Sequence, residues 1–182
     1  YQSFNGLRLI GMECCKLIIT SYGTRHFRNL ESMTPWQFFW RTSVESVVIV
    51  YVWDITLGTA DSYEVDKFLD WPLAKVLLVV GLIVPIYETL IFQVLLISVV
   101  RWLKGNIYVQ LTISTLAFVA MHVPEDGAIA LSVAVAGFYL GFALTSWYPR
   151  HKWIAVIMPI AVHSFHNYLV IVLLIIKNSN HI

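Results

Sequence analysis

The chain has 182 residues, of which 58% are hydrophobic and 13% are charged. Because charged residues make up about a quarter of an ordinary soluble domain, this composition excludes that class and predicts one compact membrane domain. A net charge of +1 without any basic cluster excludes a nucleic-acid partner, since there is no set of cations to neutralise phosphates.

The first 35 residues form a predicted N-terminal segment, 1–35, of mixed character. Apolar residues recur there at helical spacing between charged ones, which predicts an amphipathic helix lying at the membrane interface. Cys14 and Cys15 are adjacent, and neighbours rarely have disulfide geometry, so small buried side chains are favoured over a palmitoylated pair. The run Ser32-Met-Thr-Pro35 predicts a helix start, with Ser or Thr as the cap and Pro in the first turn.

Residues 36–182 contain about five apolar stretches separated by polar turns, and they form the predicted transmembrane domain. The predicted fold is therefore an all-α, polytopic transmembrane helical bundle of about five spans with an interfacial N-terminal helix. The second stretch is longer than the roughly 20 residues that a bilayer needs, so it should tilt or kink, with Pro85 as the site. The predicted spans are Trp36–Leu57, Leu73–Val100, Ile107–Val123, Ala128–Trp147 and Trp153–Ile176.

Charges and small residues add detail to this topology. Glu45 and Asp54 lie in the first span and are interpreted as interfacial or paired side chains with no assigned role. Gly137 and Gly141 make a GxxxG face on the fourth span, which either lets another helix approach closely or faces lipid. Lys and Arg concentrate before the first span and after the second and fourth, so the positive-inside rule predicts an integral multi-pass protein with a cytoplasmic N-terminus.

Ionisable residues are rare inside the predicted spans, where a carboxylate is costly unless it is paired, hydrated or protonated. Glu88, His122 and His163 lie on the second, third and fifth spans, with Asn167 one helical turn after His163. In a bundle such groups face inward, so we predict a shared polar site. A shielded Glu paired with a His can act as general base on a water, and a further His and an Asn can donate hydrogen bonds to an oxyanion. Together these groups predict a site that hydrolyses an amide.

The same side chains allow other interpretations. Glu88, His122 and His163 are also ordinary ligands of a catalytic zinc ion, so zinc stays an alternative although no cofactor is expected. His166 is interpreted as a structural residue, and Asn167 could simply join two helices, as polar residues do in membrane interiors.

Three short motifs carry a resemblance to a known family. They are Glu88-Thr-Leu-Ile-Phe92-Gln93, Phe118-Val-Ala-Met-His122 and His163-Ser-Phe-His-Asn167. In this order they resemble the EExxxR, FxxxH and HxxxN motifs of the CPBP family, the CAAX-processing and bacteriocin-processing intramembrane proteases. The similarity covers about residues 82–171. It implies a membrane-embedded endopeptidase, with either a metal-free or a metal-dependent mechanism.

The resemblance also implies a role for each matching residue. Glu88 resembles the water-activating glutamate and His122 its partner, while His163 and Asn167 resemble the pair that supports the oxyanion. Substrates in the family include prenylated CAAX tails and bacterial peptides. Predicted partners are therefore the lipid bilayer and a peptide or membrane-protein substrate.

Thr89 and Gln93 stand where the family pattern has a second Glu and an Arg. Residues at i and i+4 share a helix face, so this pair of charges has been replaced together. Replacing both members of a buried ion pair need not destabilise a fold, whereas removing one leaves an uncompensated charge. The double replacement also motivates a second hypothesis, in which the chain is a non-catalytic relative serving as scaffold or small subunit of a larger membrane complex.

Overall fold

The structure is a computed structural model that describes residues 25–57, 71–122 and 130–179. The predicted interfacial helix lies mostly outside these ranges, as do both cysteines; residues 25–31 are helical. The chain divides into two compact units, Tyr1–Phe38 and Phe39–Ile182. The described residues form helices and turns without a strand, which confirms the predicted all-α class.

Five long helices account for most of the described residues, and their bounds lie close to those of the five predicted spans. The second of them, Leu73–Trp102, is continuous and contains two short π-helical segments. The helices are α1, Pro35–Leu57; α2, Leu73–Trp102; α3, Ile107–His122; α4, Ala130–Trp147; and α5, Lys152–Ser179.

Three of the described helices are long and apolar enough to cross a membrane by length and composition, namely α2, α4 and residues Lys152–Leu173 of α5. Helix α3 is apolar and shorter, with 16 residues, and the 23-residue α1 is not among the three. Large apolar side chains cover much of the outer surface, as in Trp153, which is 82% exposed. This surface is that of an integral membrane protein. The cytoplasmic N-terminus stays a prediction.

Helix α1 begins as the sequence predicts. The Thr34 amide donates to Gln37 Oε1 at 3.2 Å, and the Gln37 amide donates to Thr34 Oγ1 at 3.4 Å, a reciprocal capping box with Pro35 in the first turn. Farther along, Arg41 Nε lies 2.7 Å from Glu45 Oε1, and the Tyr139 hydroxyl of α4 also hydrogen-bonds to Glu45. Glu45 is therefore a paired side chain, as predicted.

The helices of the larger unit pack in a simple order. Helix α3 contacts the last turns of α2 on one side and α4 on the other, and α5 packs against both α4 and α2. Two tight turns connect helices in this packing order. After α2, Lys104 adopts a positive φ of 62°, and the Gly105 amide donates to Val100 O at 2.8 Å, which closes the helix in a Schellman motif. The Arg101 guanidinium stacks 3.7 Å over the Tyr148 ring and joins this turn to the one before α5.

Small residues set how closely the helices approach. A Cβ atom added at Gly137 would lie 2.9 Å from Phe118 Cδ1 of α3, and one at Gly141 would lie 3.2 Å from Leu111 Cδ2. The GxxxG face therefore receives α3, which confirms the interpretation as a packing face rather than a lipid-facing one. Gly81 of α2 has the same relation to the Tyr168 ring of α5, where an added Cβ would overlap the ring edge.

Replacing Gly137 with alanine is expected to lower the free energy of unfolding by about 1–3 kcal/mol, because the added methyl group overpacks against Phe118, which is 3% exposed. Thermal unfolding of purified protein in detergent measures this effect. Gly141→Ala is the matched control, since its methyl group meets the tip of a leucine and should cost less. Equal stability of the two variants would contradict the packing argument, and Phe118→Leu should restore stability to Gly137→Ala.

Candidate active site

Glu88, His122 and His163 meet at the contact of α2, α3 and α5. Glu88 Oε1 lies 3.8 Å from His122 Nε2, and Glu88 Oε2 lies 3.4 Å from His163 Nε2. Each carboxylate oxygen therefore faces one imidazole. The Glu88 and His122 side chains are 24% and 28% exposed and His163 is 9% exposed, so the cluster is largely shielded and still partly accessible.

Glu88 stands between two irregular stretches of α2. The π-helical segments Val79–Ile83 and Thr89–Leu95 enclose a short α-helical piece, Val84–Glu88. Buried Pro85 lies in that piece and has no N–H for a regular helical hydrogen bond, which suits a local change of helix type. Such π-helical turns are frequent at functional sites because they re-aim side chains and free backbone groups.

The first π-helical segment frees a carbonyl that α5 uses. The Val84 amide, which would donate to Val80 O in a regular α-helix, donates to Val79 O. Val80 O then accepts a hydrogen bond of 2.8 Å from Asn167 Nδ2. Asn167 therefore joins α2 and α5 through this bond and still has a second N–H on the same nitrogen.

Helix α3 binds the second π-helical segment, also through a backbone carbonyl. Ser114 Oγ donates to Phe92 O at 2.8 Å, while the Leu96 amide donates to Gln93 O. Sequence reasoning did not single out Ser114. The available signal was its position one helical turn before Phe118, on the face that carries the FxxxH motif.

The backbone of α3 orients His122. His122 Nδ1 lies 2.7 Å from Phe118 O, so Nδ1 carries the proton and donates to that carbonyl. In the neutral ring this leaves Nε2, the atom facing Glu88, as an acceptor. The Phe118 ring lies 4.6 Å from the His122 ring and 5.7 Å from the His163 ring, centroid to centroid, and so forms an apolar wall of the site.

His163 has a polar partner on each nitrogen. Besides the contact of Nε2 with Glu88, its Nδ1 lies 3.4 Å from Thr89 Oγ1, and the Thr89 side chain is fully buried. Thr89 thus contacts the site, although it replaces a charged residue of the family motif. Gln93 is also fully buried, and neither atom of its amide group has a hydrogen-bond partner among the residues that the structure describes. The site keeps Glu88 as its carboxylate, beside this neutral pair.

A cavity of about 220 Å³ lies against the histidine side of the cluster. Its polar lining includes His122, His163, His166 and Asn167, so His166 faces the same space as the predicted site residues. The rest of the wall is mostly Val, Ala, Leu and Ile from α1, α2, α4 and α5. An apolar group can therefore be held beside the polar cluster.

Metal binding by Glu88, His122 and His163 was the alternative interpretation. Over residues 25–57, 71–122 and 130–179, no group of three or more His, Cys, Asp or Glu side chains is arranged to hold a metal ion.

Comparison with known proteins adds one finding. A model of the Rce1-like family, described as type II CAAX prenyl endopeptidase Rce1-like, matches residues 70–169, which is more than half of the chain. This range contains all three motifs. No curated protein and no solved structure matches.

Proposed function

Because the chain belongs to the Rce1-like family of type II CAAX prenyl endopeptidases, we propose that it is a membrane endopeptidase that hydrolyses a peptide bond with a water activated by Glu88 and His122. The observation that carries the proposal is the convergence of Glu88 with two imidazoles from two other helices, at 3.8 and 3.4 Å. Bringing three ionisable groups together inside an apolar bundle is costly, which is typical of functional sites in membranes.

The first step is activation of the water. Glu88 Oε1 and His122 Nε2 are both acceptors, and their separation of 3.8 Å lets one water molecule donate an O–H to each. Glu88 then takes a proton from this water as general base, and the oxygen attacks the carbonyl carbon of the substrate. His122 orients the water because its own ring is held by Phe118 O.

The second step is collapse of the tetrahedral intermediate. Its oxyanion accepts hydrogen bonds from His163 Nε2–H and from the second N–H of Asn167, whose first N–H is bound to Val80 O. The proton held by Glu88 passes to the leaving amine, so that the carboxylate is regenerated and the peptide bond is broken. The apolar wall of the cavity beside the cluster limits the number of water molecules near this step.

The proposal is tested by comparing protein N-termini in membranes of cells that make the chain and of cells that make the Glu88→Gln variant at equal level. New N-termini that appear only with the unaltered chain support an endopeptidase and identify its substrates. If the two sets of N-termini are identical for a demonstrably folded chain, the proposal is wrong. Stoichiometric zinc in the active purified protein would replace the metal-free steps by a metal-dependent version.

A second candidate function is favoured by the neutral pair Thr89 and Gln93. The amide of Gln93 is buried and has no hydrogen-bond partner within the described part of the chain, which is a costly feature for a side chain beside the cluster. In this alternative the chain is a non-catalytic subunit or scaffold of a larger membrane complex. It predicts that a stoichiometric partner co-purifies equally with the unaltered chain and with Glu88→Gln, and that no N-termini differ between the two membranes.

A further inference from the structure

The buried imidazole of His163 is placed between two consecutive residues of α2. Glu88 and Thr89 point about 100° apart around the helix axis, as neighbours on a helix do. The His163 ring of α5 lies between these two side chains, with Nε2 at 3.4 Å from Glu88 Oε2 and Nδ1 at 3.4 Å from Thr89 Oγ1. Each nitrogen of this side chain, which is 9% exposed, therefore faces one polar atom of α2.

While Glu88 is ionised, one neutral tautomer suits both contacts better than the other. If Nδ1 carried the proton, the bare Nε2 would face a carboxylate oxygen, and two acceptors would be left opposed in a shielded site. If Nε2 carries the proton, its N–H faces the Glu88 carboxylate at 3.4 Å, and Nδ1 can accept the hydroxyl proton of Thr89. The Thr89 side chain is fully buried, and in this tautomer its hydroxyl proton has an acceptor in Nδ1.

We propose that Thr89 is a positioning residue whose hydroxyl holds His163 in the Nε2–H tautomer, with that N–H aimed at Glu88 and at the adjoining reaction space. The assignment of the tautomer stands on the geometry alone. Its catalytic consequence rests on the proposed function, because the same N–H then donates to the oxyanion. A neutral hydroxyl thus serves the site at the position where the family motif carries a charge.

The tautomer is read directly by nuclear magnetic resonance of ¹⁵N-histidine-labelled protein in detergent, with the His163 signals assigned by their loss in His163→Gln. We expect a protonated Nε2 and an unprotonated Nδ1 in the unaltered chain. Thr89→Val, which keeps the shape and removes the hydroxyl, should give a mixture of tautomers, and Thr89→Ser should restore the single form. An Nδ1–H signal in the unaltered chain, or an unchanged tautomer in Thr89→Val, overturns the proposal.

Cleavage gives a second readout. Loss of the hydroxyl should lower kcat by about tenfold with little change in KM, since one orienting hydrogen bond is lost, and Thr89→Ser should lie within about threefold of the unaltered chain. If Thr89→Ser is as impaired as Thr89→Val, the residue acts through packing and the proposal fails. Should no variant or substrate show cleavage, the proposed function fails, whereas the tautomer measurement still decides the role of Thr89.

Discussion

Purified protein carrying Glu88→Gln is expected to cleave its substrate about 10²- to 10⁴-fold more slowly than the unaltered chain, because the amide cannot accept the proton of the water. Glutamine has the size of glutamate and can keep the contacts with His122 and His163, so the structural change is small. Removing a carboxylate from an apolar bundle should leave thermal stability equal or higher. Single-turnover cleavage and thermal unfolding of the same sample measure both quantities.

Tyr87→Phe is the matched control for this experiment. It removes one hydroxyl from the neighbouring residue on α2, whose side chain is 65% exposed. The cleavage rate should stay within about twofold, and the free energy of unfolding within about 1 kcal/mol, of the values for the unaltered chain. Cleavage by Glu88→Gln at the rate of this control would remove Glu88 from the mechanism. Loss of cleavage together with loss of folding would be a stability effect, and equal unfolding temperatures of the two variants would exclude it.

Replacing His163 with alanine is expected to lower kcat by about 10²- to 10³-fold, the usual cost of losing one oxyanion donor. The same substitution in the Glu88→Gln background should add little further loss, since groups that act as a unit are strongly non-additive. Pre-steady-state kinetics on the single and double variants measure this coupling. His122→Ala should behave in the same way, because its Nε2 orients the water that Glu88 activates.

His151→Ala is a suitable control, since that imidazole is exposed in the turn between α4 and α5 and lies outside the cluster. It should retain full cleavage. If His163→Ala and Glu88→Gln instead multiplied their effects, the two side chains would act in independent steps, and the single cluster proposed for them would be wrong.

Much of the fold could be predicted because the residues that indicate a membrane helix lie within that helix. A run of apolar residues must satisfy its own backbone hydrogen bonds in lipid, so its length and its polar ends predict a helix without knowledge of its neighbours. The capping box at Thr34 and the packing face at Gly137 are likewise readable from short-range patterns. Family membership followed from three motifs whose spacing is also local.

The polar site was predictable for a similar reason. Charged groups are costly in lipid, so Glu88, His122 and His163 were expected to face the interior of the bundle, where groups on three spans can meet. Pro85 predicted an irregularity in α2, but the two π-helical segments on either side of it were not predictable. Nothing in the residues of Val79–Ile83 or Thr89–Leu95 distinguishes a π-helical turn from an α-helical one, because the choice depends on whether Asn167 and Ser114 arrive to bind the freed carbonyls.

The amino-acid sequence by itself determined the helices, their membrane character and the identity of the ionisable groups, because each depends on interactions within a few residues or on the cost of burying charge in lipid. The tertiary structure decided which atoms meet. Rotation of α5 by one residue would separate His163 from both Glu88 and Thr89, and no periodicity in the chain specifies that rotation to within a hydrogen bond. It is set by close packing between helices, such as that of Tyr168 on Gly81, and by the side chains that bind the π-helical turns.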